Sequence, residues 1–97
     1  MTEHTERILH RMVKIINQYK NGEVTLPYLV NSLEGSISAI EEPLSEAFKE
    51  IWYKHWGNLE IVLALNEEEG KRNDILADLD GLEVLIKQTI NKTNTHF

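Results

Sequence analysis

LSEAFKEIWYKHWGNLEIVLAL, Leu44 to Leu65, carries both tryptophans of the chain, and its period decides the fold. At about 100° per residue, Leu44, Phe48, Ile51, Trp52, His55, Leu59 and Val62 fall on one arc, which Trp56 and Leu63 widen. An apolar arc that broad touches two neighbouring helices at once, as the central helix of a bundle does. Glu41-Glu42-Pro43 sets its start, because the residue before a proline avoids the helical region while proline suits the first helical position. A helix is therefore expected from Pro43 to about Asn66.

Towards the N-terminus the same period recurs twice. From about Glu3 to Lys20, Ile8, Met12, Ile15, Ile16 and Tyr19 share a face, with Leu9 and Val13 beside them, and Asn21-Gly22 stops the helix. A second helix opens at Thr25 as N-cap, with Pro27 in its first turn. Its stripe is Leu26, Leu29, Val30, Leu33, Ile37 and Ile40, weakened by Gly35, Ser32, Ser36 and Ser38.

Beyond Leu65, Asn66-Glu67-Glu68-Glu69-Gly70 has two readings. Carboxylates at the negative end of a continuing helix would each cost some tenths of a kcal/mol. Asn66-x-x-Glu69 instead resembles a capping box, which turns the same charges favourable. A helix end near Asn66 followed by an acidic turn is the preferred reading. The last helix, about Lys71 to Asn91, aligns Ile75, Leu79, Leu82, Ile86 and Ile90, with Leu76 and Leu85 alongside. Asn91 to Phe97 loses the pattern and is expected to be a loose tail. Residues 1–97 thus predict one all-α domain, an antiparallel four-helix bundle with a long central third helix.

Composition narrows the function classes. A chain of 97 residues with 41% hydrophobic content holds one modest core. Cysteine is absent, which excludes disulfides and thiolate zinc sites. Met1 to Glu6 is polar and acidic and predicts no secretory leader, and no apolar run reaches membrane-spanning length, so a cytoplasmic protein without membrane partners is expected. Of 16 acids and 10 bases, four of each lie before residue 41, so the whole net charge of -6 falls from Glu41 onward. That field repels phosphate backbones and favours a basic partner. The candidate recognition helices carry Glu41, Glu42, Glu46, Glu50 and Glu60, or Asp74, Asp78, Asp80 and Glu83, which argues against nucleic-acid binding.

Catalytic and metal chemistry find little footing. A di-metal carboxylate bundle needs Glu-x-x-His, yet the residues three before the histidines are Met1, Arg7, Trp52 and Thr93. Neither a metal nor another cofactor is expected. His55 lies within the Trp-bearing arc and requires a hydrogen-bond partner if buried, but spacing fixes no serine, acid or second histidine beside it. Gly57 and Gly81 fall inside helices, where each costs about 1 kcal/mol relative to alanine. They either let helices approach beneath a large side chain or have no role.

What remains is a surface for another protein. Glu46, Lys49, Tyr53, Trp56 and Glu60 form a flank of the third helix that joins aromatic anchors to carboxylates, the composition of interface hot spots. Trp56 could equally pack beneath a neighbouring helix. Trp52-x-x-x-Trp56-x-x-Leu59-Glu60, continuing into Ala64-Leu65, the acidic turn and a leucine-rich last helix, resembles small helical proteins of Gram-positive bacteria encoded beside secreted polymorphic toxins, where they serve as immunity proteins. The likeness covers the C-terminal half. It implies a non-enzymatic cytoplasmic inhibitor that occludes a basic toxin domain with acids and aromatics. The small nuclease-colicin immunity proteins share the acidic four-helix character, but none of their motif residues occurs here. The residues expected to meet the partner are Glu46, Tyr53, Trp56, Glu60, Glu67, Glu68, Glu69, Asp80 and Glu83. The competing expectation is a self-associating structural or regulatory bundle, a homodimer with its seam on the third helix.

Overall fold

Three hydroxyl side chains open the first three helices. Thr2 Oγ1 accepts from the Thr5 amide at 3.2 Å, Thr25 Oγ1 from Tyr28 at 3.3 Å and Ser45 Oγ from Phe48 at 3.1 Å. Each satisfies an amide that the first helical turn leaves bare, an effect of about 1 kcal/mol. In a computed structural model, which describes residues 1–94, the elements are α1 (Glu3–Lys20), α2 (Leu26–Ala39), α3 (Glu46–Ala64) and α4 (Arg72–Asn94), with no strand among the described residues.

Two of these helices stop by the same device. After α1, Gly22 takes φ 77°, and the amides of Gly22 and Glu23 donate to the Tyr19 and Gln18 carbonyls. After α3, Asn66 takes φ 55°, and the amides of Asn66 and Glu67 donate to Leu63 and Val62. Both are left-handed closures that satisfy the last carbonyls. Asn66 therefore ends α3 and caps no new turn, contrary to the capping-box alternative. The start of α3 also differs from expectation. Ser45, the N-cap, sets the boundary and leaves Pro43 and Leu44 in the connection. As a result α3 has 19 residues, and α4, with 23, is longer than the third helix that was expected to be the long one. α4 also runs through Asn91 to Asn94, where a tail was expected; positions 95–97 of that tail lie outside the described residues.

The buried faces are those the stripes predict, with one exception. α1 contributes Ile8, Leu9, Met12, Ile16 and Tyr19, and α2 contributes Leu26, Leu29, Val30 and Leu33. α3 contributes Phe48, Trp52 and Leu59, with the Phe48 and Trp52 rings stacked at 6.1 Å. α4 supplies Ile75, Leu79, Leu82, Leu85, Ile86 and Ile90. Each helix packs on two others, α1 on α2 and α4, α3 on α2 and α4, so the contacts close a ring around one core measuring 46 × 26 × 21 Å with its surface. Ile51 is the exception at 43% exposed: one residue before Trp52, it sits about 100° around the helix from it, past the edge of the buried arc. Among the described residues no helix is long and apolar enough to cross a membrane.

Candidate functional site

Tyr53 and Trp56 lie one turn apart on α3 and meet edge to face, centroids 6.3 Å apart at 86°. Trp56 is half-buried against the core, whereas Tyr53 is 56% exposed. The amphipathic period explains the difference, since Trp56 lies nearer the buried arc and Tyr53 nearer solvent. Beside Tyr53 a cleft of about 230 Å³ opens between the end of α2, the connection to α3 and the first turns of α3. Ile37, Ile40, Leu44 and Phe48 give it apolar walls, with Tyr53 and Lys49 at its lip. Lys49 lies 3.7 Å from Glu46, the weak surface pair that their spacing suggests.

The floor of this region is held in place from a distance. Glu42, in the connection, accepts a hydrogen bond from the Thr2 amide at the head of α1. That bond, followed by those from the Thr5 and Thr2 hydroxyls, holds the Glu42 carboxyl down at about 2. The α2–α3 connection is thereby tied to the start of α1.

The acids expected at an interface fall into three places. Glu46 and Glu60 are exposed on α3, on the same flank as Tyr53. Glu67 and Glu69 are exposed on the turn after α3, while Glu68 is half-buried and accepts from the Tyr19 hydroxyl at 2.8 Å. Burial first and this acceptor second push the Tyr19 phenol up to about 12, and the Arg72 guanidinium lies 5.6 Å over the same ring. Asp80 and Glu83 face α1, where Lys20 Nζ donates to both, at 2.5 and 3.1 Å. Desolvation pulls the Lys20 pKa down, but its hydrogen bonds to Asp80 and Glu83 outweigh this and hold it above the ordinary lysine value. Glu83 also takes Lys87 at 2.7 Å, and that bond, then Lys20, hold it below the usual carboxylate range. The structure thus groups Glu46, Tyr53, Trp56 and Glu60, and commits Glu68, Asp80 and Glu83 to contacts within the chain.

His55 receives the partner that spacing in the sequence did not supply. Its Nδ1 lies 2.8 Å from Asp78 Oδ1 on α4, and Asn58 Nδ2 donates to the same oxygen at 3.2 Å. The imidazole rests on Gly81: a Cβ there would come within 2.5 Å of His55 Nε2 and 2.7 Å of Cε1. Gly57 has no neighbour within 4 Å of such a Cβ. One helical glycine therefore makes room for a side chain and the other does not. Sequence reasoning missed Asp78 and Asn58, although glycine at position 81, unfavourable in a helix, was a signal of close approach.

Past His55 a second, open cleft of about 460 Å³ runs between the end of α3 and the start of α4, edged by Asn58, Ile61, Glu67, Lys71, Asp74 and Asp78. Among the described residues no three histidine or carboxylate side chains converge as metal ligands would. Compared with protein-family models, curated proteins and solved structures, the chain matches none.

Proposed function

We propose that this chain is a non-enzymatic protein-binding module and, in the sharpest form of the reading, a bacterial cytoplasmic immunity protein that silences a toxin domain by occlusion. The observation that carries it is Tyr53: an aromatic side chain 56% exposed, braced edge-on by Trp56 and placed at the mouth of an apolar cleft. Braced aromatics lose little entropy on binding and serve as anchors. In an antiparallel bundle with α3 as the presenting helix, Glu46 and Glu60 flank that anchor and steer a basic surface towards it. Glu67 and Glu69 extend the same sign of charge to the end of α3. His55 acts as a strut between α3 and α4, a role that its seat on Gly81 supports.

The test is binding to the product of a neighbouring gene whose C-terminal domain is toxic, measured by calorimetry and by survival of cells making both proteins. Tyr53→Ala is expected to weaken binding at least about tenfold with an unchanged melting temperature, and Glu60→Lys to slow association. Full toxicity in the presence of excess wild-type chain ends the immunity reading.

A further inference from the structure

The flank of α3 opposite Tyr53 carries a second apolar pattern that the core does not use. Ala47, Ile51, Lys54, Asn58, Ile61 and Leu65 succeed one another in alternating steps of four and three residues, and all six are exposed. Ile51 is 43%, Ile61 58% and Leu65 62% exposed, and Val84, one turn beyond Gly81 on α4, is 53% exposed. Alternating steps of three and four residues form the seam of one helix packing along another. Tyr53, two residues past Ile51, points about 200° around the helix from it, so the two flanks are separate surfaces.

We infer that this outward face of α3, with Val84 beside it, is a seam on which a second copy of the chain docks antiparallel. The order of residues along the stripe carries the choice of occupant. Laid antiparallel on itself about its midpoint, the stripe sets Ile51 against the partner's Ile61, Ala47 against the partner's Leu65, and Lys54 against the partner's Asn58. Large side chains meet small or equal ones at every step, so one patch serves both sides of a twofold axis.

One local charge contact agrees, although the net charge of -6 that each copy carries opposes pairing at long range. Asn58 already donates to Asp78 Oδ1, so an ammonium arriving opposite Asn58 meets a carboxylate immediately behind it. Lys54 from each copy reaches that position on the other. Two such polar pairs, related by the twofold axis at the centre of the seam, fix register and orientation at some cost in stability. The α3 and α4 surfaces together, about 28 Å long and about 20 Å across, offer on the order of 600 Å² per copy. The total of about 1,200 Å² sits at the lower edge of specific interfaces, which fits a dimer that comes apart on dilution.

The experiment is sedimentation equilibrium of the full chain between about 1 µM and 1 mM. The mass is expected to rise from 11.2 kDa towards twice that value. Ile61→Lys and Ile51→Lys, at exposed positions that leave the melting temperature unchanged, are each expected to weaken association at least about tenfold, whereas Tyr53→Lys leaves it intact. Register is tested by mixing: an Ile51→Lys chain with an Ile61→Glu chain places lysine against glutamate at one end and isoleucine against isoleucine at the other. That mixture should associate more tightly than either chain alone. A mass fixed at 11.2 kDa throughout, a dimer indifferent to Ile61→Lys, or a mixture no tighter than its components would each overturn the proposal. A monomer whose Ile61→Lys variant loses binding to a toxin instead would assign the face to that partner. Because Tyr53 lies on the other flank, loss of self-association and loss of toxin binding are separable results.

Discussion

Gly57 and Gly81 both interrupt helices, and their surroundings give them opposite value. Around Gly57 a methyl group meets open space, so Gly57→Ala gains helix propensity alone and is expected to stabilise the chain by about 0.5–1 kcal/mol. At Gly81 the same methyl would strike the His55 ring and push it off Asp78. A half-buried hydrogen bond to a charged group is worth about 1.5–3 kcal/mol, so Gly81→Ala should lose about 1 kcal/mol net despite better propensity. In urea melts, His55→Ala should cancel most of the Gly81→Ala penalty. Equal penalties in the presence and absence of the ring would disprove the contact. This pair also marks where sequence reading stops. The cost of a helical glycine is written locally, but the histidine that it accommodates lies on another helix, and so does Asp78.

Capping governs the elements, and capping is local enough to read in advance. Thr25 and Gly22 sit where the sequence places them, because a hydroxyl or a left-handed residue acts within its own turn; Thr2 caps α1 by the same local rule, although the sequence reading did not name it. The start of α3 was misplaced because Pro43 and Ser45 both carry start signals, and the serine hydroxyl reaches an amide that the proline cannot satisfy. Ser45→Ala is expected to cost about 1 kcal/mol. Asn66 holds a left-handed conformation at φ 55°, where side chains with a Cβ are strained by about 1–2 kcal/mol. Asn66→Gly should therefore raise stability, and Asn66→Ala should lower it by about 1 kcal/mol, both read from thermal melts. Which edge of an apolar arc is covered depends on the neighbouring helix rather than on the arc. For that reason Ile51, on the expected stripe, is exposed.

Across the whole molecule, acid-base contacts join helices distant in sequence and make stability depend on pH with a defined sign. The Glu42 carboxyl is lowered from 4.5 to about 2 in the fold, so its contribution is complete above 4.5 and drains away as pH falls through about 2. Glu83 is shifted in the same direction, by Lys87 on its own helix first and by Lys20 of α1 second, so acid below the ordinary carboxylate range also removes an acceptor from the seam of α1 and α4. Tyr19 has the opposite sign: raised from 10.0 to about 12, it supports the fold below 10.0 and ceases to do so as pH rises through about 12. Melting temperature is expected to drop between pH 4.5 and about 2, and Glu42→Gln should flatten that drop. An unchanged slope in Glu42→Gln would show that the tie to Thr2 carries no weight. None of the pairings between helices was visible in the sequence, since Lys20 meets Asp80 only after the chain has folded.

Both indole nitrogens, Trp52 Nε1 and Trp56 Nε1, are buried without a hydrogen-bond partner. Excited indoles shift their emission to the red when water or another polar group can relax around them, so this chain should fluoresce unusually blue when folded. Trp52 will then report global unfolding. Trp56, in contact with the exposed Tyr53 ring, is placed to register a partner if one docks there as proposed, so the protein would carry its own optical probes for both events.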